Sequence, residues 1–253
     1  MAFRMTCDTA ARPPHPNPRP AGEREGPIAQ QWEGEGELHR GYGAGRLLVN
    51  GALALLLLLA ATPAVAAMRI LALGDSITAG YGLPPEEALP VKLEQRLKTD
   101  GFDVSVINGG VSGDTTAGGL ARLDWALGDH PQYAIVALGA NDALRGLDPA
   151  QADVNLDKIL ARLQAAGVKA LLVGMRAPTN WGRTYQTQFD AIYPKLAAKY
   201  NVPLYPFLLE GVALDAKYNQ GDGLHPNPAG VALIVEHLAP LVEAMLRGAE
   251  KAS

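Results

Sequence analysis

From residue 69 onward, the sequence alternates between short, continuously apolar segments and longer stretches in which apolar residues recur every three to four positions. The short segments are typical of strands buried on both faces, and they occupy residues 69–73, 103–108, 133–138, 168–175 and 202–205. The longer stretches are typical of amphipathic helices, the last of which begins near Pro228. This alternation predicts an α/β fold with a parallel sheet covered by helices on both faces. Neither a repeat nor a linker divides residues 67–253, so we expect a single domain there.

The first 46 residues have a different composition. They are rich in Gly, Pro and Glu and lack any apolar periodicity. Such a segment is too polar to form a packed core, which predicts either disorder or an over-extended reading of the gene. In the second case, translation begins near Leu47 or Val49.

Residues 47–66 are predicted to be a secretory signal peptide. Basic Arg46 precedes them, residues 52–61 are an unbroken apolar run, and the small-x-small sequence Ala64-Val65-Ala66 ends the segment. The alternative, a permanent membrane helix, is disfavoured because the run is too short to cross about 30 Å of hydrocarbon. We therefore expect a periplasmic or secreted protein without a stable membrane anchor after cleavage. Translation from Met68 would instead give a cytoplasmic protein.

Charge and cysteine content exclude several classes of protein. The chain has 22 Lys and Arg against 26 Asp and Glu, for a net charge of −4, which argues against nucleic acid as a partner. Its one cysteine, Cys7, lies in the N-terminal extension, so the predicted domain holds neither a disulfide framework nor a thiolate metal cluster.

Gly-rich polar segments follow three consecutive predicted strands. They occupy residues 74–77, 109–114 and 139–142, and another polar segment at 221–226 precedes the last helix. In open α/β sheets, ligands bind beyond the carboxyl ends of the strands. We therefore expect these four segments to form the functional site.

Ser76 and His225 are the candidate nucleophile and base. His130 precedes its strand and lies at the wrong edge of the sheet, whereas His237 sits within a helix among apolar neighbours. Asp222, three residues before His225, is spaced to accept a hydrogen bond from one imidazole nitrogen and leave the other as a base, as in a Ser-His-Asp triad. Each residue also suits an ordinary turn or helix cap, and no G-x-S-x-G elbow surrounds the serine.

Gly113 and Asn141 are candidate donors for an oxyanion. A main-chain N–H group at a glycine and an asparagine amide are both suited to stabilising a tetrahedral intermediate. The alternatives are that Gly113 supplies a positive φ and that Asn141 caps a helix.

The four segments together resemble the blocks of the SGNH (GDSL) hydrolase superfamily across residues 68–247. The resemblance lies in G-D-S-I at 74–77, the glycine of V-S-G-D-T at 113, G-A-N-D at 139–142 and D-G-L-H-P at 222–226. Ile77 stands where the family usually has leucine, a conservative change. The resemblance implies a three-layer α/β/α, flavodoxin-like fold with about five parallel strands and no metal or organic cofactor.

The resemblance also implies roles for the site residues. Ser76 is the expected nucleophile, His225 its base and Asp222 the orienter of that base. The expected oxyanion donors are the main-chain N–H groups of Ser76 and Gly113 and the side-chain amide of Asn141. The implied reaction is hydrolysis of esters and thioesters through an acyl-Ser76 intermediate.

The sequence is most similar to the periplasmic thioesterase and lysophospholipase group and to secreted arylesterases of that family. Small aryl esters, fatty acyl thioesters and lysophospholipids are therefore the expected substrates. Leu144, Leu147 and Trp181 are candidate substrate-binding residues, with packing on the domain as the alternative.

Two other functions remain as alternatives. One is a carbohydrate acetylesterase of the same superfamily. The other is a non-enzymatic module that binds phosphate or flavin at its strand ends, although the chain lacks G-x-G-x-x-G and P-loop motifs. A binding module of this kind would leave Asp222 and His225 without a role. The sequence makes no prediction of oligomeric state.

Overall fold

The structure of the chain is a computed structural model that describes residues 67–250. The predicted extension at 1–46 and the predicted signal peptide at 47–66 lie outside the described residues. The predicted domain at 67–253 falls within them except for its last three residues.

Five parallel strands form one sheet in the order β2-β1-β3-β4-β5, which confirms the predicted fold class. The strands are β1 (Met68–Gly74), β2 (Val104–Gly110), β3 (Tyr133–Ala137), β4 (Lys169–Val173) and β5 (Leu204–Tyr205). Strand β5 is shorter than predicted because Pro203 and Pro206 flank it, and proline has no N–H group to donate to a ladder.

Nine α-helices and two short 3₁₀-helices are found within residues 67–250. The α-helices are α1 (Ser76–Ala79), α2 (Leu89–Thr99), α3 (Thr116–Ala121), α4 (Leu123–Leu127), α5 (Ala140–Leu144), α6 (Pro149–Ala165), α7 (Arg183–Asp190), α8 (Ile192–Tyr200) and α9 (Pro228–Glu250). The 3₁₀-helices span Pro85–Glu87 and Thr179–Trp181. Helices α2 and α9 pack together, whereas α6 packs with α3, α7 and α8. These two groups are the outer layers of a three-layer α/β/α fold.

Helix α9 has a long apolar sequence. It is the one helix among the described residues that is long and apolar enough to cross a membrane, and 44% of that apolar window is buried. Its buried residues recur at helical spacing, as at Val231, Ile234, Leu238 and Val242. Packing within the domain core therefore accounts for its apolar character.

The strand order places a topological switch point between β1 and β3. The chain runs from β1 to β2 on one side and then crosses back to β3 on the other, so the carboxyl ends of β1 and β3 are adjacent at the Gly74–Ala137 pair. Ligands bind at such a point in open α/β sheets. Three of the four polar segments identified in the sequence begin at or just beyond this edge.

Candidate active site

Ser76 lies two residues after the end of β1, at the first position of α1. The Asp75 side chain caps this helix by accepting a hydrogen bond of 3.0 Å from the Ile77 N–H group. The turn from strand to helix is tight enough that a Cβ atom on Gly74 would lie 2.0 Å from Thr78 Oγ1. The local sequence therefore holds the Ser76 hydroxyl at the carboxyl edge of the sheet.

His225 reaches Ser76 from the other end of the chain. Its Nε2 atom lies 2.9 Å from Ser76 Oγ, although the two residues are 149 positions apart. The imidazole is carried by the loop before α9, which is closed by an antiparallel bridge between Asn219 and Pro226. A hydroxyl and an imidazole nitrogen at this distance satisfy the geometry of a nucleophile and its general base.

Asp222 fixes the orientation of the imidazole. Its Oδ2 atom lies 2.6 Å from His225 Nδ1, while Oδ1 accepts hydrogen bonds from the N–H groups of Leu224 and His225 at 2.9 and 3.0 Å. Hydrogen bonds lower the pKa of Asp222 to about 2. The largest effect comes from the main-chain N–H of His225, followed by the His225 side chain and the main-chain N–H of Leu224. The carboxylate is therefore ionised at neutral pH and holds the proton on Nδ1, which leaves Nε2 to accept from Ser76.

Gln220 and Tyr81 connect the loops that carry the serine and the histidine. Gln220 Nε2 donates to the main-chain oxygen of Tyr81 at 2.8 Å and to that of Pro226 at 3.0 Å. The main-chain N–H of Gln220 also donates to the His225 oxygen at 2.8 Å. The Tyr81 ring packs on the imidazole with a centroid separation of 4.6 Å. Our sequence analysis missed both residues, although Tyr81 lies within the G-D-S-I-T-A-G-Y-G stretch and Gln220 two positions before Asp222.

Asn141, at the second position of α5, bridges the ends of three strands. Its Nδ2 atom donates to the main-chain oxygen of Asp114 at 2.9 Å and lies 3.5 Å from Asp75 Oδ2. Asp114 follows Gly113, and Asp75 precedes Ser76, so the asparagine amide contacts a sequence neighbour of each of the two predicted main-chain donors. The contact with Asp75 is long for a hydrogen bond, so the Asn141 amide can donate that N–H group to a better acceptor instead.

Gly113 lies in the loop between β2 and α3 with a φ of 84°. Glycine adopts this left-handed conformation without strain. Its main-chain oxygen accepts a hydrogen bond of 2.9 Å from Arg145 Nη2, at the end of α5. The loop that carries Gly113 is thus linked to helix α5 by hydrogen bonds from both Asn141 and Arg145.

Asp75 is a buried carboxyl group beside the serine. Its side chain is almost fully enclosed, and this burial raises the pKa of Asp75 to about 6. The hydrogen bond from Ile77 and the charge of His225 oppose the rise but do not cancel it.

A cavity of about 630 Å³ opens beside Ser76 and His225. Besides these two residues its wall is mostly apolar, and it includes Ile77, Ala140, Leu144, Met175, Ala177, Pro178, Phe207, Leu209, Ala213, Leu214 and Leu224. Leu144, predicted to bind substrate, is part of this wall. Leu147 and Trp181, predicted with it, are not among the lining residues. Trp181 instead donates its Nε1 proton to the Ala143 oxygen at 2.8 Å, so it packs on the domain.

Within residues 67–250, no three His, Cys, Asp or Glu side chains are grouped so that they could hold a metal ion.

Comparison with known proteins matches the chain to one enzyme family. The sequence model of the GDSL-like Lipase/Acylhydrolase family matches residues 72–233. An arylesterase of Vibrio mimicus is 43% identical over 175 residues, which are 69% of this chain and 88% of that protein. The thioesterase 1/protease 1/lysophospholipase L1 of Escherichia coli strain K12 is 41% identical over 193 residues, which are 76% of this chain and 91% of that protein. The crystal structure of TesA matches with a TM-score of 0.67 and 39% identity, covering 70% of this chain and 99% of that one.

Proposed function

Because the chain belongs to the GDSL-like lipase/acylhydrolase family, we propose that it is a serine hydrolase that cleaves carboxylic esters and thioesters through an acyl-Ser76 intermediate. The observation that carries this proposal is the 2.9 Å contact between Ser76 Oγ and His225 Nε2 at the mouth of an apolar cavity. The names of the relatives, an arylesterase and a thioesterase, support these two bond types as substrates.

Acylation begins when Ser76 Oγ attacks the carbonyl carbon and its proton passes to His225 Nε2. Asp222, ionised and 2.6 Å from Nδ1, stabilises the imidazolium that forms. His225 then gives the proton to the leaving alcohol or thiol as the tetrahedral intermediate collapses to acyl-Ser76. Water, deprotonated by the same imidazole, attacks the acyl group and releases the carboxylic acid.

The negative charge of the tetrahedral intermediate needs donors fixed in advance. In our proposal these donors are the N–H groups of Ser76 and Gly113 and the amide of Asn141. Ser76 begins α1, so its N–H group has no carbonyl one turn earlier in that helix to which it can donate. The loose contact of Asn141 with Asp75 is the one that an oxyanion would replace.

The acyl part of the substrate is proposed to occupy the apolar cavity. Its wall includes Leu144, Met175, Phe207 and Leu224, which match a hydrocarbon chain better than a sugar. The carbohydrate acetylesterase alternative and the flavin- or phosphate-binding alternative are favoured by none of the comparisons. Small-molecule esters, thioesters and lysophospholipids are thus the proposed ligands.

Replacement of the nucleophile tests the proposal. Ser76→Ala should abolish turnover of p-nitrophenyl butyrate without unfolding the protein, whereas Ser105→Ala, the same change at the start of β2 and so at the opposite edge of the sheet, should leave turnover intact. A fluorophosphonate should add its mass to the peptide that contains Ser76. Turnover retained by Ser76→Ala, or an adduct on another residue, would refute the proposal. Palmitoyl-CoA, a lysophospholipid and acetyl-xylan assayed alongside would separate the substrate classes.

We further propose that the chain acts in the periplasm or outside the cell. The signal-peptide pattern of residues 47–66 supports this location, and the domain begins shortly afterwards with β1 at Met68. Fractionation of expressing cells followed by N-terminal sequencing is the test. A periplasmic or secreted protein that begins near Ala67 is expected, whereas an active cytoplasmic protein beginning at Met68 would contradict the proposal.

A further inference from the structure

Four aromatic residues spaced four positions apart form a continuous ladder beside the active site. These residues, which we call the aromatic ladder, are Trp181, Tyr185, Phe189 and Tyr193. Successive ring centroids are separated by 6.3, 6.1 and 5.9 Å. Tyr185 and Phe189 lie one turn apart on the same face of α7, Trp181 ends the 3₁₀-helix before α7, and Tyr193 lies in the first turn of α8.

The polar atoms of the aromatic ladder all donate to one segment of the main chain, residues 138–147. The bonds run from Tyr193 Oη to the Leu138 oxygen at 3.0 Å, from Trp181 Nε1 to the Ala143 oxygen at 2.8 Å, and from Tyr185 Oη to the Leu147 oxygen at 2.8 Å. Tyr185 Oη also lies 3.3 Å from the Asp142 oxygen. Asn141 lies in the middle of this segment.

Helix α5, which carries Asn141, depends on outside contacts for its position. It has only five residues, far below the length at which a helix is stable by itself. The main-chain oxygens of Asp142 and Ala143, in its last turn, accept from the N–H groups of Leu147 at 2.9 Å and Gly146 at 3.1 Å, and each has a lone pair left for a second donor. Trp181 and Tyr185 provide donors to this end, and Tyr193 fixes the end of β3 just before the helix begins.

Glycines on either side of α5 allow this close approach. Gly139 has a φ of 118°, and a Cβ atom there would lie 2.2 Å from Tyr193 Oη. Gly146 has a φ of 62°, and a Cβ atom there would lie 2.8 Å from the Trp181 ring. The segment is therefore seated against the aromatic ladder before and after Asn141.

We infer that Tyr185 and Tyr193 are positioning residues that hold the Asn141 amide where it meets the oxyanion. The inference rests on the proposed function, in which Asn141 is an oxyanion donor. Hydrogen-bond strength falls steeply with misalignment, and a displacement of about 1 Å at a catalytic group can lower the rate about 100-fold. Releasing one end of α5 should therefore weaken the stabilisation of the transition state while leaving the acyl cavity intact.

A double-mutant cycle with Asn141 tests the inference. Tyr185→Phe removes one hydroxyl from a partly exposed ring, and Tyr193→Phe is a second variant at a buried position. Tyr205→Phe is the matched control because its buried hydroxyl has no hydrogen-bond partner among the described residues. Each change is made in the natural chain and in Asn141→Ala, and kcat and KM for p-nitrophenyl butyrate are measured together with Tm.

In the natural chain, Tyr185→Phe should lower kcat about 10-fold with KM unchanged. This loss is smaller than the roughly 100- to 1,000-fold loss expected when the Asn141 amide itself is removed. In Asn141→Ala, the same change should lower kcat less than about twofold, because the group that it positions is gone. Tyr205→Phe should leave kcat unchanged in both backgrounds.

An equal loss in both backgrounds, or no loss in either for both Tyr185→Phe and Tyr193→Phe, would overturn the inference and leave the proposed function standing. Full activity of Asn141→Ala would also overturn the inference, because it would show that Asn141 is not a donor in the proposed oxyanion hole. The two failures are therefore distinguishable in one set of measurements.

Discussion

The side-chain amide of Gln220 is hydrogen-bonded to the main-chain oxygen of Tyr81, 139 positions earlier in the chain. A second proton of the same amide is donated to Pro226, beside His225. One side chain thus joins the loop that follows Ser76 to the loop that carries its base.

Gln220→Leu should lower kcat about 10- to 100-fold with KM nearly unchanged, since leucine fills similar space but donates neither bond and lets the Ser76–His225 distance vary. Steady-state kinetics on p-nitrophenyl butyrate measure this. Gln132→Leu is the control, because Gln132 accepts from the Arg69 N–H group just before β3, away from the site. A similar fall in kcat for both variants would mean that general loosening of the fold is responsible.

Asp222→Asn should lower kcat on the order of 10³- to 10⁴-fold, because an amide can favour the imidazole tautomer that carries its proton on the wrong nitrogen. The Asn side-chain oxygen retains an acceptor for the N–H groups of Leu224 and His225, so the loop is expected to keep its shape. Loss of activity with an unchanged Tm is the expected result. Activity within about tenfold of the natural enzyme would show that the imidazole is oriented by other groups.

The burial of Asp75 predicts a pH dependence of stability. Its pKa is raised in the folded protein to about 6, whereas the unfolded chain titrates near 3.8. The unfolded state therefore loses its proton first, and this carboxyl destabilises the fold progressively as pH rises from about 4 to about 6. The difference between these two pKa values corresponds to about 3 kcal/mol above that range.

Asp75→Asn keeps an oxygen for the Ile77 N–H group but cannot ionise. The variant should therefore lack the destabilisation that ionisation of the buried carboxyl causes. The free energy of unfolding of the variant, relative to the natural chain, should therefore rise between pH 4 and pH 7 in urea titrations. A difference that does not change with pH, or that changes in the opposite direction, would contradict the raised pKa.

Gly110→Ala should destabilise the domain by about 1–3 kcal/mol through overpacking. A Cβ atom at this position would lie 2.2 Å from the main-chain nitrogen of Ala79, and neither strand β2 nor helix α1 can move aside easily. Gly248→Ala, near the end of α9, is the control because a Cβ atom there meets nothing within 4 Å. Thermal unfolding should show a lower Tm only for the first variant.

Sequence reasoning predicted the parts of this fold that depend on burial. Strands β1 and β3 were predicted within one or two residues because both of their faces are covered, which makes them continuously apolar. Strand β2 continues to Gly110, where two glycines were assigned to a loop. Main-chain hydrogen bonds pair the strand at these positions, and glycine has no side chain that could show an apolar pattern. The sequence therefore could not predict this extension.

For the site, the sequence was sufficient to predict which segments of the chain meet. The strand-end rule brought the segments of Ser76, Gly113 and Asn141 to one edge, and the triad pattern added Asp222 and His225. The roles of Gln220 and Trp181 were not predictable, because each donates to a main-chain oxygen, an acceptor that every residue possesses. Such bonds depend on three-dimensional position and not on the identity of the partner.

The proposed nucleophile, Ser76, follows the first strand of the domain, and its proposed base, His225, lies in the loop before the last helix. In the proposed mechanism, a chain that is still incomplete therefore has a serine hydroxyl with nothing to deprotonate it. In that mechanism the site is complete only when the loop before α9 has brought the His225 imidazole within 2.9 Å of the Ser76 hydroxyl.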